Sequence, residues 1–377
     1  MALIAGATAV GVFALWPHSS DVPKTANPYA GPGVKIVEGT VTGVDPFDCG
    51  NDPTGPDGLP QVKGPCGTLT VKVPGDSSAS VQVDAARYKL GFSPDDRVEL
   101  VRIAPSGQPA TYEFIDFKRG SSLILLSIIF LIVVGVVARW RGLLAIVGIG
   151  VTLLALMKFV LPAILAGENA IVVAVVGSTA IMIIVLYLAH GISIRTTSAL
   201  FGTLVGIGIT GLIGAMATDW THLTGLGSED DQTLLAVTGG LDLRGVVAAS
   251  MIIAGLGVLN DVTVTQASAV WELRAAQPNA SAAHTFASAM RIGRDHIASS
   301  VYTLVFAYAG SAMTVLLLIT VYQRSLTEMA TTEGIGTEIV RTLVGAIGLV
   351  LAVPITTAFA VLLAPRPAHT DEVRSGI

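Results

Sequence analysis

Between residues 121 and 364 the sequence returns repeatedly to apolar runs of about twenty residues, the length a helix needs to cross the hydrocarbon of a bilayer. Lipid offers no partner to backbone N–H and C=O groups, so such runs are confined to helices that pair them internally. Runs near 121–138, 143–163, 169–190, 196–217, 245–264, 298–322 and 339–364, with an opening run that ends at Pro17, predict about eight transmembrane helices. Composition agrees, with 52% of the 377 residues hydrophobic and 13% charged, against about 25% charged in soluble domains. A net charge of −5 leaves no basic face, so nucleic acid is not an expected partner. The opening run, MALIAGATAVGVFALW, has no basic flank before it, and a longer natural N-terminus is expected. The alternative is a cleaved signal peptide, which normally shows a basic n-region and a small-residue cleavage site.

From His18 to Gly120 the composition changes to Pro, Gly, Asp and Thr, with short alternating β-branched runs. KIVEGTVTGV, TLTVKV, SVQVDA and RVELVRI read as strands between turn residues, and predict a small antiparallel β-barrel or sandwich. The expected class is therefore an α-helical polytopic membrane protein with a small extracytoplasmic all-β domain after its first helix. Its parts are a first transmembrane helix (1–17), the β-rich domain (18–120), a seven-helix membrane domain (121–366) and a cytoplasmic tail (367–377). Cys49 and Cys66 lie in one loop of the β domain; a disulfide there requires the extracytoplasmic side, and free thiols are the alternative. Cytoplasmic loops are enriched in Lys and Arg. Arg139, Arg141, Arg195, Arg274, Arg291, Arg294, Arg366 and Arg374 all fall on one side of the predicted bundle. That side is the cytoplasm if both termini are inside. The β domain, GSEDDQ and QRSLTEMATTEGIGTE then lie outside, with Lys118, Arg119 and Arg324 as basic exceptions.

Three polar stretches interrupt the apolar pattern. In GLGVLNDVTVTQASAVWEL, Asn260 precedes Asp261, and Asp261, Thr265, Ser268 and Glu272 share one helical face. A carboxylate inside the hydrocarbon costs about 2.5–3.5 kcal/mol even on lenient insertion scales, so it is retained by pairing, protonation or a wet cavity. The ordinary alternative places Asp261 at the inner interface, merely solvated. In IGRDHIASSVYTLVFAYAG, Arg291, Arg294 and Asp295 share a face, which Asp295, Ser299 and Tyr302 extend into the membrane. Positive-inside anchoring explains the two arginines; His296 reads as a surface residue. In EIVRTLVGAIGLVLAVPITT, Glu338 and Arg341 are spaced as an i, i+3 pair at the outer entrance, and Pro354 marks a bend near Thr356 and Thr357.

The sequence contains no G-x-x-x-x-G-K-[ST], H-E-x-x-H or C-x-x-C. The aspartates of DPFDCGNDPTGPDG lack the closing Glu of a calcium loop. No nucleophile, base and orienter cluster together, so neither an enzyme nor a cofactor or metal is expected.

The three quoted stretches resemble the YibE/F family of bacterial multispan membrane proteins, over about Val34 to Pro365. The resemblance implies a membrane protein without naming a substrate. The stretch around Asp261, with Glu272 eleven residues on, is also distantly similar to the proton-carrying helix of SecD/SecF and resistance–nodulation–division transporters. That similarity implies a proton-carrier position at Asp261. Four predicted spans rather than two precede this helix, and the β domain lacks αβ porter repeats. The expected function is a secondary transporter or proton- or cation-driven machine. Asp261 is its carrier, assisted by Asn260, Thr265, Ser268, Glu272, Asp295 and Tyr302; Arg294 is the counter-charge, and Glu338–Arg341 the outer gate. An oligomeric ion channel and a scaffold binding an envelope partner through the β domain remain open alternatives. Expected partners are the bilayer, protons or cations, and a second copy or paired membrane protein in a bacterial cytoplasmic membrane.

Overall fold

The computed structural model describes residues 1–365 apart from 19, 24–30, 32, 50–61, 76–77, 106, 108 and 323–324. Arg324, Arg366, Arg374, residues 50–58 of the acidic loop and the tail 367–377 therefore lie outside the described residues. The chain forms two compact units, one of Lys24–Val133 and one of Met1–Pro23 with Val134–Ile377.

The first unit contains a five-stranded antiparallel sheet of β1 (Val34–Phe47), β2 (Cys66–Lys72), β3 (Ala79–Val83), β4 (Arg97–Ile103) and β5 (Thr111–Phe117), in the order β3-β2-β1-β4-β5. A short helix, α2 (Ala85–Tyr88), follows β3. The long β1 serves two partners: Val34–Thr40 pairs with β4, and Thr40–Phe47 with β2 through a register shift between Val41 and Gly43. Such a shift bends the strand and adds twist, which rolls the sheet so that β3 and β5 also approach one another. The alternating apolar residues point inward as pleating demands: Val41, Leu69, Val71, Val81, Val98 and Leu100 are all buried. Cys49 and Cys66 are disulfide-bonded, joining the chain after β1 to the start of β2. Four strands follow the alternating runs read from sequence; β5, TYEFIDF, is a further one.

The second unit is helical. Its elements are α1 (Ala2–Ala14), the part of α3 (Gly120–Ala155) beyond Val133, a π-turn at Leu156–Val160, α4 (Leu161–Leu165), α5 (Ala170–His190), α6 (Ile194–Trp220), α7 (Glu229–Thr238), α8 (Leu243–Ala276), α9 (Ala282–Ser311), α10 (Met313–Tyr322), α11 (Leu326–Ala330) and α12 (Glu333–Leu363). Among the described residues five helical segments are long and apolar enough to cross a membrane, or six if α9 and α10, bent by 64°, form one span. One of the five, Gly120–Leu165, covers the two spans read at 121–138 and 143–163. It leaves helical geometry at Arg139, where φ is 55° and ψ −142°, a left-handed φ that non-glycine residues rarely adopt. The opening run forms a shorter helix of 13 residues.

Helices α6, α8 and α12 form the centre of this unit, with α5 and α9 packed against them. Small residues permit the close approach. A Cβ at Gly202 on α6 would lie 1.8 Å from Thr356 Oγ1 on α12, and one at Gly348 on α12 would lie 2.1 Å from Thr210 Oγ1 on α6. The start of α12 is fixed by Glu333, whose Oε1 accepts the backbone N–H groups of Thr224, Gly225 and Leu226 at 2.6, 2.6 and 3.2 Å. Pro354 lies inside α12, which continues past it to Leu363.

Candidate functional site

Asp242 caps α8, accepting the N–H of Gly245 at 3.1 Å, and the helix then runs for 34 residues. Its inward face carries Ile252, Leu256, Leu259, Thr263, Gln266 and Val270, all buried. The opposite face is exposed at Ala254, Gly257, Asp261, Thr265 and Glu272, with Ser268 half-buried at its edge. The stripe read from sequence thus shares a face, and that face points away from the bundle core.

The Asp261 side chain is 69% exposed, and its Oδ2 lies 3.6 Å from His296 Nε2 on α9. That distance exceeds hydrogen-bond length, and His296 Nε2 is buried with no hydrogen-bond partner. Beside them, the half-buried Asn260 keeps its Oδ1 buried and unpartnered. The nearby imidazole, read from sequence as a surface residue, is therefore the basic group facing Asp261. Arg294 is exposed and, among the described residues, takes part in no ion pair, as is also true of Asp295. Arg291 donates to Ser288 Oγ on its own helix at 2.8 Å. Asp295, Ser299 and Tyr302 are exposed along one face of α9, where Tyr302 stacks on Phe306. Arg274 is buried, and its Nη1 donates to Ala280 O at 2.9 Å, closing the turn between α8 and α9.

Toward the other end of α8, Arg341 Nη1 donates to Glu338 Oε1 at 2.5 Å and Nη2 to Ser250 Oγ at 3.2 Å. Glu338 and Arg341 both belong to α12, and the bond from Arg341 to Ser250 ties that helix to α8. Glu338 Oε2 and Arg341 Nε are buried without hydrogen-bond partners.

A further polar system lies inside the bundle. Thr203 Oγ1 on α6 and Thr263 Oγ1 on α8 are 2.7 Å apart. Gln266 Nε2 donates to Ala289 O on α9 at 3.0 Å and to Thr357 Oγ1 on α12 at 2.7 Å. Thr203, Thr263, Gln266, Thr356 and Thr357 are all at most 2% exposed. Sequence reasoning singled out the outward stripe of α8 and missed this inward one. Its legible signal is the seven-residue spacing of Thr196, Thr203 and Thr210 along α6, all buried. Thr210 Oγ1 and Ser178 Oγ are buried without partners. Among the described residues no three His, Cys, Asp or Glu side chains gather as a metal site.

The candidate geometry thus comprises an outward carboxylate–imidazole pair, a charge pair within α12 whose arginine also reaches Ser250 on α8, and a buried seam of hydroxyls and one amide. Residues 126–366 match the family model described as YibE/F-like protein. No curated protein and no solved structure matches the chain.

Proposed function

The chain belongs to the YibE/F-like protein family, and we propose that it is a secondary transporter or proton- or cation-driven membrane machine in which Asp261 is the carrier. The observation that carries this reading is Asp261 itself, a carboxylate on an apolar helix that faces the His296 imidazole at 3.6 Å. An isolated charge in hydrocarbon costs about 2.5–3.5 kcal/mol or more, and binding a proton or a cation removes that cost. Asn260, Thr265, Ser268 and Glu272 supply polar groups along the same helix, and Asp295 and Tyr302 along α9. Arg294 stands two residues before His296 on α9, about half a helical turn round, and acts as counter-charge only after α9 turns or shifts. Glu338 and Arg341 serve as the outer gate: they pair within α12, and Arg341 also reaches Ser250 Oγ on α8, so moving the guanidinium loosens α12 from α8. No catalytic step belongs to this reading.

The accompanying topology has eight spans, counting α1 as one and dividing α3 at Arg139, in a bacterial cytoplasmic membrane. Both termini are cytoplasmic and the β unit is outside, where its disulfide is chemically stable. A second copy covers the exposed polar face of α8 and α9. That exposure supports a second reading, an oligomeric channel whose pore is lined by Asp261, Thr265, Asp295, Ser299 and Tyr302.

Proton and cation flux in proteoliposomes, native against Asp261→Asn, tests the carrier. Gradient-driven flux that falls at least ten-fold in a correctly folded Asp261→Asn protein is expected. Undiminished flux in that variant removes Asp261 from the mechanism, and single-channel currents far above carrier turnover establish the pore instead.

A further inference from the structure

Two junctions between helices meet at one end of the helical unit. At the first, α3 breaks at Arg139, and a Cβ at Gly135 would lie 3.6 Å from Leu143 Cδ2, so the chain doubles back there. The second is the turn between α5 and α6, where His190 ends one helix and Ile194 begins the next. Tyr187 Oη and Thr197 Oγ1, 2.9 Å apart, pin the two sides of that turn. Packing aligns the junctions. A Cβ at Gly177 would meet Val160 Cγ2 at 2.6 Å, and one at Gly148 would meet Val185 Cγ1 at 3.1 Å, so the stretch from the later part of α3 through the π-turn runs antiparallel to α5. Following α3 back from Gly148 and α5 on from Val185 brings Arg141 to the level of His190. The electrostatics agree, because the cations acting on His190 are Arg141 and Arg195.

These helices supply little to balance that charge. Between Asp116 and Asp219 the sequence has one acidic residue, Glu168. It precedes α5, whose 21 residues carry the chain about 30 Å before His190 is reached. Among the described residues Arg139, Arg141, His190 and Arg195 enter no side-chain hydrogen bond or ion pair. The N-terminus of the 27-residue α6 adds to the same positive field. Large apolar side chains stand beside these cations: Trp140 is 72% exposed and Ile192 90%. A small anion leaves those side chains uncovered, and a neutral acyl chain leaves the cations unpaired. A phosphate ester that carries acyl chains meets both needs. Guanidinium groups bind phosphate bidentately, and basic clusters between membrane helices are known receptors for anionic headgroups.

We propose that this end of the bundle is a binding site for an anionic phospholipid, with the phosphate on Arg141 and Arg195 and the acyl chains against Trp140 and Ile192. In the eight-span topology the site is cytoplasmic. It stands independently of Asp261, whatever ion that residue carries.

The test is native mass spectrometry of the full chain released from detergent, titrated with phosphatidylglycerol and, separately, with phosphatidylcholine. One saturable phosphatidylglycerol is expected, held at least about ten-fold more tightly than phosphatidylcholine. Joint Arg141→Gln and Arg195→Gln substitution should remove that preference, whereas Arg291→Gln, a basic residue elsewhere on the same side, should leave it unchanged. Circular dichroism establishes that each variant is folded. A salt series on the native chain needs no variant: from about 50 to about 500 mM ammonium acetate, phosphatidylglycerol binding should weaken at least about five-fold. Equal affinity for the two lipids, or a preference that survives the double substitution or the added salt, overturns the proposal. Equal loss in the Arg291→Gln variant also overturns it, since the preference then belongs to the basic side as a whole. Displacement of the lipid by equimolar glycerol 3-phosphate overturns the lipid assignment and marks a site for soluble phosphate esters.

Discussion

Replacing Gly202 by Ala adds a single methyl group to the middle of α6, a change that helix propensity alone favours by up to about 1 kcal/mol. The packing predicts the opposite sign. The new carbon lies 1.8 Å from Thr356 Oγ1, 2.8 Å from Thr356 Cβ and 3.1 Å from its Cα, all inside the 3.4 Å at which ordinary contact begins. Thr356 is fully buried, and its hydroxyl donates to Ala352 O at 2.7 Å. Swinging the oxygen aside sacrifices that bond, worth about 0.5–1.5 kcal/mol. The remaining clash with Cβ forces α6 and α12 apart, and overpacking of this kind costs about 1–3 kcal/mol. After the propensity gain, Gly202→Ala should destabilise the bundle by about 1–3 kcal/mol. Reversible unfolding in mixed micelles, followed by circular dichroism, measures this directly. In a Thr356→Ala background the oxygen is gone and the methyl's cost should fall by about 1 kcal/mol, since residues in contact are not additive. A neutral or stabilising Gly202→Ala refutes the close approach of α6 and α12. An equal cost in both backgrounds refutes Thr356 as its cause.

The Cys49–Cys66 disulfide joins residues 17 apart, so replacing both by Ser should destabilise the β unit by about 3 kcal/mol through loop entropy. Thermal unfolding of the oxidised native protein against the double variant checks this, and reduction of the native chain should reproduce the loss. In the same unit, the hydrogen bond from Arg119 and then the backbone N–H of Phe117 hold the Asp116 carboxyl below its usual range, despite an opposing contribution from burial. A depressed carboxyl stabilises the fold above its unfolded value, and that contribution disappears as pH falls through the folded value. Carboxyl-carbon NMR titration of Arg119→Gln should show Asp116 moving back toward the ordinary range.

What was legible in the sequence is what periodicity and solvent preference encode. Alternation located β1 to β4, because pleating converts every second residue into core. Apolar length located the long helices, because backbone pairing in lipid demands it. The share of a face by Asp261, Thr265 and Glu272 follows from helical geometry alone, and these residues do lie together. Which way that face points was not legible, because Thr263 and Gln266 are as polar as Thr265 and only packing partners from α6, α9 and α12 distinguish them. His296 carried no local signal either, since its proximity to Asp261 comes from the packing of α9 on α8.

The two polar faces of α8 therefore call for different physics. On the inward face the hydroxyls and the amide have partners: Thr263 meets Thr203, and Gln266 spans from α8 to α9 and α12. Hydrogen bonds between membrane helices contribute about 0.6 kcal/mol each, enough in sum to fix register where small residues bring backbones close. On the outward face, among the described residues, Asp261 has only an imidazole beyond hydrogen-bond length, and His296 Nε2 and Asn260 Oδ1 are left without partners. A fold selected only for stability would fill such positions with apolar side chains or complete the pairing. Satisfied polarity inside holds α6, α8 and α12 in register, and the unsatisfied polarity outside is where the proposed carrier site is tested.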